Sequence, residues 1–199
     1  KEEFKTFVDA AHAKGIRVVM DVVMNHPGYN TIEDAKHLYP GILNNSFNDS
    51  VTITASDFHK YIDYKNCGTN GWDDWWGGDW IRAGLCKHYK TGSGDLKGSC
   101  GGSLPDFITE NSNAVSLPAF LKKKHTAEMA EYYPTEGYNV VSLEEKENYR
   151  VRDYLIYWLS RWVREFGIDG FRCDTAKHVE KDAWKQLKIA CTQALRDWK

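Results

Sequence analysis

The sequence predicts an α/β fold made of helix, turn and strand repeats, a partial (β/α)8 TIM barrel carrying one long irregular inserted domain. Three observations predict it. Residues 1–26 and 152–178 both run from an amphipathic helix through a glycine into an apolar strand, the order of a parallel barrel repeat. Both strands end in polar and charged residues, where barrel enzymes keep their chemistry. Between Pro27 and Val151 the alternation stops, for far longer than any ordinary barrel loop.

Lys1 to Lys14 places Phe4, Phe7, Val8 and Ala11 on one face of a helix that Gly15 ends. The following run, Gly15-Ile16-Arg17-Val18-Val19-Met20-Asp21-Val22-Val23-Met24-Asn25-His26, is β-branched and apolar, as a strand buried on both faces should be. Asp21 in its middle then needs a partner, since a buried carboxylate without one is costly. By strand alternation Asp21, Val23 and Asn25 share a face.

Residues 27–151 hold four of the eight Trp between Trp72 and Trp80, with Phe58, Tyr61, Ile62 and Tyr64, apolar surface enough for a small core rather than a disordered segment. The Trp run reads mainly as core; stacking on sugar faces is the alternative for exposed rings, and no Trp is assigned to a ligand. Ser93 to Ser103 is a Gly- and Ser-rich loop. Lys122-Lys123-Lys124 and Glu144 to Asn148 read as solvated surface.

Arg152 to Glu165 is helical, with Leu155, Leu159, Trp162 and Phe166 at three- and four-residue spacing, and Gly167 stops it. The strand Ile168 to Asp174 then ends in charge, with Arg172, Asp174, Lys177 and His178 within seven residues. Arg172 and Asp174 share a face with Gly170; Phe171 and Cys173 share the other. If the two strands are neighbours, Arg172 is the natural partner of Asp21 and lies beside Asp174. A structural ion pair is the plain alternative to a catalytic role for Arg172 and Asp174. Glu180 to Lys199 is a helix burying Ala183, Trp184, Leu187, Cys191, Ala194, Leu195 and Trp198, with Glu180 and Asp182 suiting the dipole at its start.

Hydrophobic residues make up 42% and aromatic residues 14% of the chain, and the net charge is −2, which gives no footing for nucleic acid. No apolar run approaches the ~18 residues of a membrane span. The chain begins at Lys1 inside a helix and ends two strands into a repeat, so it reads as a fragment of a barrel of about 250 residues. Five cysteines leave at least one unpaired; Cys173 and Cys191 read as buried free thiols. Cys67, Cys86 and Cys100 lie in the insertion, with Cys86–Cys100 the preferred disulfide, a weak pointer to export.

Asp21-Val22-Val23-Met24-Asn25-His26, Leu104-Pro105-Asp106-Phe107 and Gly170-Phe171-Arg172-Cys173-Asp174-Thr175-Ala176-Lys177-His178, in that order, resemble three signature motifs of the α-amylase family, glycoside hydrolase family 13. Gly71 to Trp80 and Arg152 to Lys199 further resemble the periplasmic α-amylases of enteric bacteria. The resemblance implies that residues 1–26 are helix 2 and strand 3 of the barrel, 27–151 the domain inserted after the third strand, and 152–199 helix 3, strand 4 and helix 4.

It also implies retaining cleavage of internal α-1,4-glucosidic bonds in starch, glycogen or maltodextrins, with one carboxylate as nucleophile and a second carboxyl group about 5 Å away as acid and base. Asp174 matches the nucleophile. Arg172 matches the residue that keeps it ionised and aimed, with Asp21 in support. His26 matches a donor to the sugar before the cut, and Lys177 and His178 match contacts to the sugar after it; a buried, hydrogen-bonded structural role is the alternative for both histidines. Calcium is the implied cofactor, held by Asn25, Asp106 and the main-chain carbonyl of His178, oxygen donors that suit a hard cation. A turn after Pro105 is the plain alternative for Asp106.

The family's acid Glu, after the fifth strand, and its second Asp, after the seventh, have no match, so the segment alone is expected to be inactive. The implied partner is an α-glucan, the expected state a monomer, and the expected location periplasmic or secreted. Transglycosylases and α-1,6-specific relatives share the three motifs, and a non-catalytic carbohydrate-binding relative is the alternative of another class. A zinc hydrolase would need a cluster of nitrogen ligands that the sequence lacks.

Overall fold

The computed structural model describes residues 2–27, 40–48, 61, 63, 77–82, 106–119, 121–123 and 143–199. Cys67, Cys86, Cys100, Leu104, Pro105, Ser93 to Ser103 and every Trp of the aromatic run except Trp80 lie outside the described residues.

Helix α1 spans Glu2–Ala13 and ends as the sequence predicts: Gly15 takes φ 72° and the amide of Ile16 closes back on the carbonyl of Ala11 at 2.9 Å. Val8 is fully buried and Phe4 packs edge-on to Trp162 and Phe166, but Phe7 is 58% exposed, contrary to the expected apolar face. The reason is that α1 meets its neighbours along a narrow stripe through Phe4 and Val8, to one side of Phe7.

Strand β1, Val19–Val23, carries the first motif. Strand β2 (Ile81–Arg82) pairs antiparallel with β3 (Asp106–Phe107). Helix α2 runs Val151–Phe166, strand β4 Gly170–Asp174 and helix α3 Lys181–Trp198. β1 and β4 pair in parallel, in a register that sets Asp21 opposite Arg172 and Val23 opposite Asp174. A parallel neighbour requires a long crossover, here residues 24–169, which contain α2.

The expectation that β1 is buried on both faces is corrected. Val22 is buried, whereas Val19, Asp21 and Val23 are exposed along the other face. Helices α1, α2 and α3 supply apolar cover to the first face through Val8, Val163, Phe166 and Ala194, joined by Ile168 from the approach to β4; among the described residues no layer covers the second. Among the described residues Asp21 therefore lies on the open face of the sheet. Its side chain is 58% exposed and that of Arg172 is 65% exposed. Asn25 also leaves the face of Asp21, because regular strand ends at Val23 and the bend that follows turns both Met24 and Asn25 inward.

Helix α2 opens on Arg150, whose backbone amide and guanidinium both donate to the Asp153 carboxylate, and closes on left-handed Gly167. The αL turn brings the chain straight into β4. A Cβ on Gly167 would lie 2.4 Å from the Trp198 ring, so the last residue of α3 sits directly on this turn. Trp198 is 37% exposed rather than buried, lying over the turn with His12 against its edge. The main core joins Trp80, Phe107, Val115 and Leu117 of residues 77–82 and 106–119 to Tyr154 and Leu155 of α2 and Ala183 and Leu187 of α3, with Trp80 stacked on Trp158 at 5.9 Å. Trp80, the one described member of the aromatic run, is a core residue.

Candidate active site

The polar residues collect at the carboxyl ends of β1 and β4, the end at which an α/β sheet leaves backbone groups free to meet a ligand. Parallel register alone puts Asp21 beside Arg172, and the two side chains form an ion pair. The other guanidinium nitrogen of Arg172 lies 3.7 Å from Oδ1 of Asp174. One arginine thus bridges two carboxylates on the open face of the sheet, an exposed arrangement that aims side chains more than it stabilises the fold.

β4 stops at Thr175, a β-branched residue held at φ 48°, ψ 27°. Such a residue in the left-handed region is strained, and strain of this kind persists only where the surroundings hold it. The turn swings the chain into a short 3₁₀ segment, Ala176–His178, closed by the amide of His178 on the carbonyl of Thr175 at 2.9 Å. Trp184 of α3 pins it by donating from Nε1 to the carbonyl of Ala176 at 2.9 Å. Lys177 and His178 leave Asp174 on this turn.

His26 stands three residues past the end of β1, half-buried, with Nδ1 3.2 Å from the amide oxygen of Asn25. Burial lowers its pKa; the Asp174 carboxylate opposes the shift and His178 adds to it. His26 therefore feels the charges of Asp174 and His178, although the three come from two separate sequence motifs.

Beneath them Asn25 and Asp106 are brought together. Nδ2 of Asn25 donates to Oδ1 of Asp106 at 2.8 Å, the two residues are 1% and 0% exposed, and the amide of Phe107 donates to the carbonyl of Asn25 at 2.7 Å. A carboxylate so placed needs compensation, which the Asn25 amide supplies in part. The donors are hard oxygens from a carboxylate and a carboxamide. Among the described residues no group of three or more His, Cys, Asp and Glu side chains lies close enough to hold a metal ion by itself.

Residues 1–191 match the family model described as "Alpha amylase, catalytic domain". The chain belongs to the α-amylase family. It is 40% identical over 209 aligned residues to the periplasmic α-amylase of Escherichia coli K12, covering 99% of this chain and 29% of that protein. A cyclomaltodextrinase of Geobacillus thermopakistaniensis is 22% identical over 96% of this chain and 21% of its own length. A solved α-amylase from Anoxybacillus superposes with a TM-score of 0.49 at 19% identity, over 99% of this chain and 27% of that one. The α-amylase relatives are thus much longer than the stretch they share with this chain.

Sequence reasoning missed three residues at this end of the sheet. Thr175 carries no signal, because its type does not disclose a left-handed backbone. Thr109 gave none either, although its buried hydroxyl donates to Oε2 of Glu180 at 2.7 Å. Trp184 reads simply as a buried residue of α3, yet its indole N–H fixes the turn after Asp174. Cys173 and Cys191 are free, as the sequence predicts, but half-buried rather than buried; desolvation pushes the Cys191 thiol up to about 11.

Proposed function

We propose that the protein of which this chain is part is a retaining glycoside hydrolase that cuts internal α-1,4 bonds of starch, glycogen or maltodextrins, on a (β/α)8 barrel with residues 27–151 as its inserted domain. The observation that carries this is Arg172 set between Asp21 and Asp174 at the end of β4, with His26 close enough to feel Asp174. Asp174 attacks the anomeric carbon and forms the glycosyl-enzyme. The glycosidic oxygen leaves with a proton from a second carboxyl group, which belongs to none of the three motifs, and that group then activates the water that frees the sugar. Arg172 aims Asp174, and Asp21 aims Arg172. His26 donates to the sugar before the cut, while Lys177 and His178 hold the sugar after it.

Asn25 and Asp106, with the main-chain carbonyl of His178, would hold calcium, whose chemistry here is to cross-link rather than to react. The donor set of a buried carboxylate and a carboxamide suits it. No helix among the described residues is long and apolar enough to cross a membrane. The E. coli relative is named as periplasmic, and we propose the same compartment for this enzyme, with a monomeric state.

The test is release of reducing ends from soluble starch by the complete protein. Asp174→Asn should lower kcat by about 10³-fold or more, the scale on which loss of a nucleophile acts. A complete protein that is retained on starch but inactive, with or without Asp174, would replace this reading by that of a carbohydrate-binding relative.

A further inference from the structure

We infer that Glu180 and Thr109 form a positioning pair, which holds the turn bearing Lys177 and His178 against the segment bearing Asp106 and so sets the affinity for the sugar beyond the scissile bond. The inference rests on the glycosidase reading above.

Glu180 is the N-cap residue of α3, with φ −61° and ψ 137°, and its side chain makes no hydrogen bond to its own helix. An N-cap side chain ordinarily accepts from the amides of the first turn, a role suited to Ser, Thr, Asp or Asn rather than to Glu. Here Oε2 instead accepts from the hydroxyl of Thr109, 71 residues earlier, at 2.7 Å. Thr109 is 2% exposed, and Oε1 of Glu180 is buried with no partner among the described residues. A charged acceptor meeting one hydroxyl over that distance in sequence is a tie that helix formation does not call for.

Both ends of the tie lead into the site. Thr109 lies three residues past Asp106, on a segment bonded to the end of β1 through the amide of Phe107 and the carboxylate of Asp106, and folded on itself by the amide of Thr109 on the carbonyl of Phe107 at 2.8 Å. Glu180 follows Ala176–His178 after the single buried residue Val179. The pair therefore closes a ring that runs from β1 through residues 106–109 to Glu180, back along the turn to β4, and across the sheet to β1.

Asp174 is the member of that ring fixed independently, by its strand pairing with Val23. Lys177 and His178 depend on the turn, pinned on one side by Trp184 and on the other by Glu180. Loosening the tie should thus spare the nucleophile and blur the sugar contacts, which is a KM effect.

The experiment uses the complete enzyme, with Thr109→Val, Thr109→Ser, Glu180→Ala and the Thr109→Val/Glu180→Ala double variant, assayed on a maltooligosaccharide. Thr109→Val should raise KM about 10-fold, the scale of one hydrogen bond to a charged group, with kcat within about 2-fold. Thr109→Ser, which keeps the hydroxyl, should stay within about 2-fold of wild type, and the double variant should be no worse than Glu180→Ala. An unchanged KM in Thr109→Val, a fall in kcat at constant KM, or Thr109→Ser as impaired as Thr109→Val would each overturn the inference. If Glu180→Ala fails to fold, the two Thr109 variants decide alone. Inactive wild type, or full activity in Asp174→Asn, would instead sink the glycosidase reading.

Discussion

Gly167→Ala tests how tightly the sequence is bound to the turn that launches β4. Two penalties add. Gly167 sits at φ 69°, where an L-residue other than Gly costs about 1–2 kcal/mol. A Cβ there would also lie 2.4, 2.5 and 2.8 Å from Cε2, Cζ2 and Cδ2 of Trp198, an overpacking that costs typically about 1–3 kcal/mol. The expected loss is about 2–5 kcal/mol. It can be read as a lower midpoint in urea at unchanged m, followed by circular dichroism at 222 nm on the complete protein. Repeating the substitution in a Trp198→Ala background separates the two, because the steric part vanishes and only the backbone part, about 1–2 kcal/mol, remains. A loss below about 0.5 kcal/mol in the wild-type background would refute the geometry. An equal loss in both backgrounds would show that the Trp198 ring does not lie against Gly167.

Two further outcomes are expected besides those given with the proposals. Asp169, which accepts from the amide of Val18 and meets Nε2 of His12, both at 2.8 Å, ties the start of β1 to the start of β4; burial raises its pKa, but these two bonds together with the charges of His12 and Arg17 outweigh it and the net shift is downward. A depressed carboxylate stabilises the fold above its unfolded pKa of about 3.9 and loses that contribution as pH falls through the folded value, so Asp169→Asn should cost about 1–2 kcal/mol at pH 7 and progressively less below pH 4, measured by urea midpoints across pH. Asn25→Ala removes a buried amide from the Asp106 carboxylate and should cost about 1.5–3 kcal/mol; if the two residues hold calcium, chelation should lower the melting temperature of wild type and leave that of Asp106→Ala unmoved.

The elements around the sheet were legible because local signals and tertiary needs agree there. Periodicity and Gly167 bound α2, Gly15 ends α1, and strand alternation placed Arg172 on the face that meets Asp21, so their pairing could be anticipated before the register was known. What alternation could not give was burial. A run such as Val18 to Val23 looks buried on both faces whatever lies over it, and the exposure of Asp21 and Arg172 is decided by layers that no local pattern encodes. Asn25 was misplaced for a related reason, since alternation holds only while the strand does and the bend after Val23 turns Asn25 inward to Asp106. Glu180 is the opposite case. Its position at a helix start explains its charge so well that nothing in the sequence suggests its carboxylate faces a threonine 71 residues away.

The stack of Trp80 on Trp158 and the shared apolar cluster around it bear on how this region comes apart. Among the described residues Trp80, Phe107, Val115 and Leu117 share one core with Tyr154, Leu155, Ala183 and Leu187. Residues 77–82 and 106–119 should then melt with helices α2 and α3 as one cooperative unit. Truncating Trp80 or Phe107 would then strip one wall from the hydrophobic interior behind β4 and weaken α2 and α3 together with the segments that carry these rings.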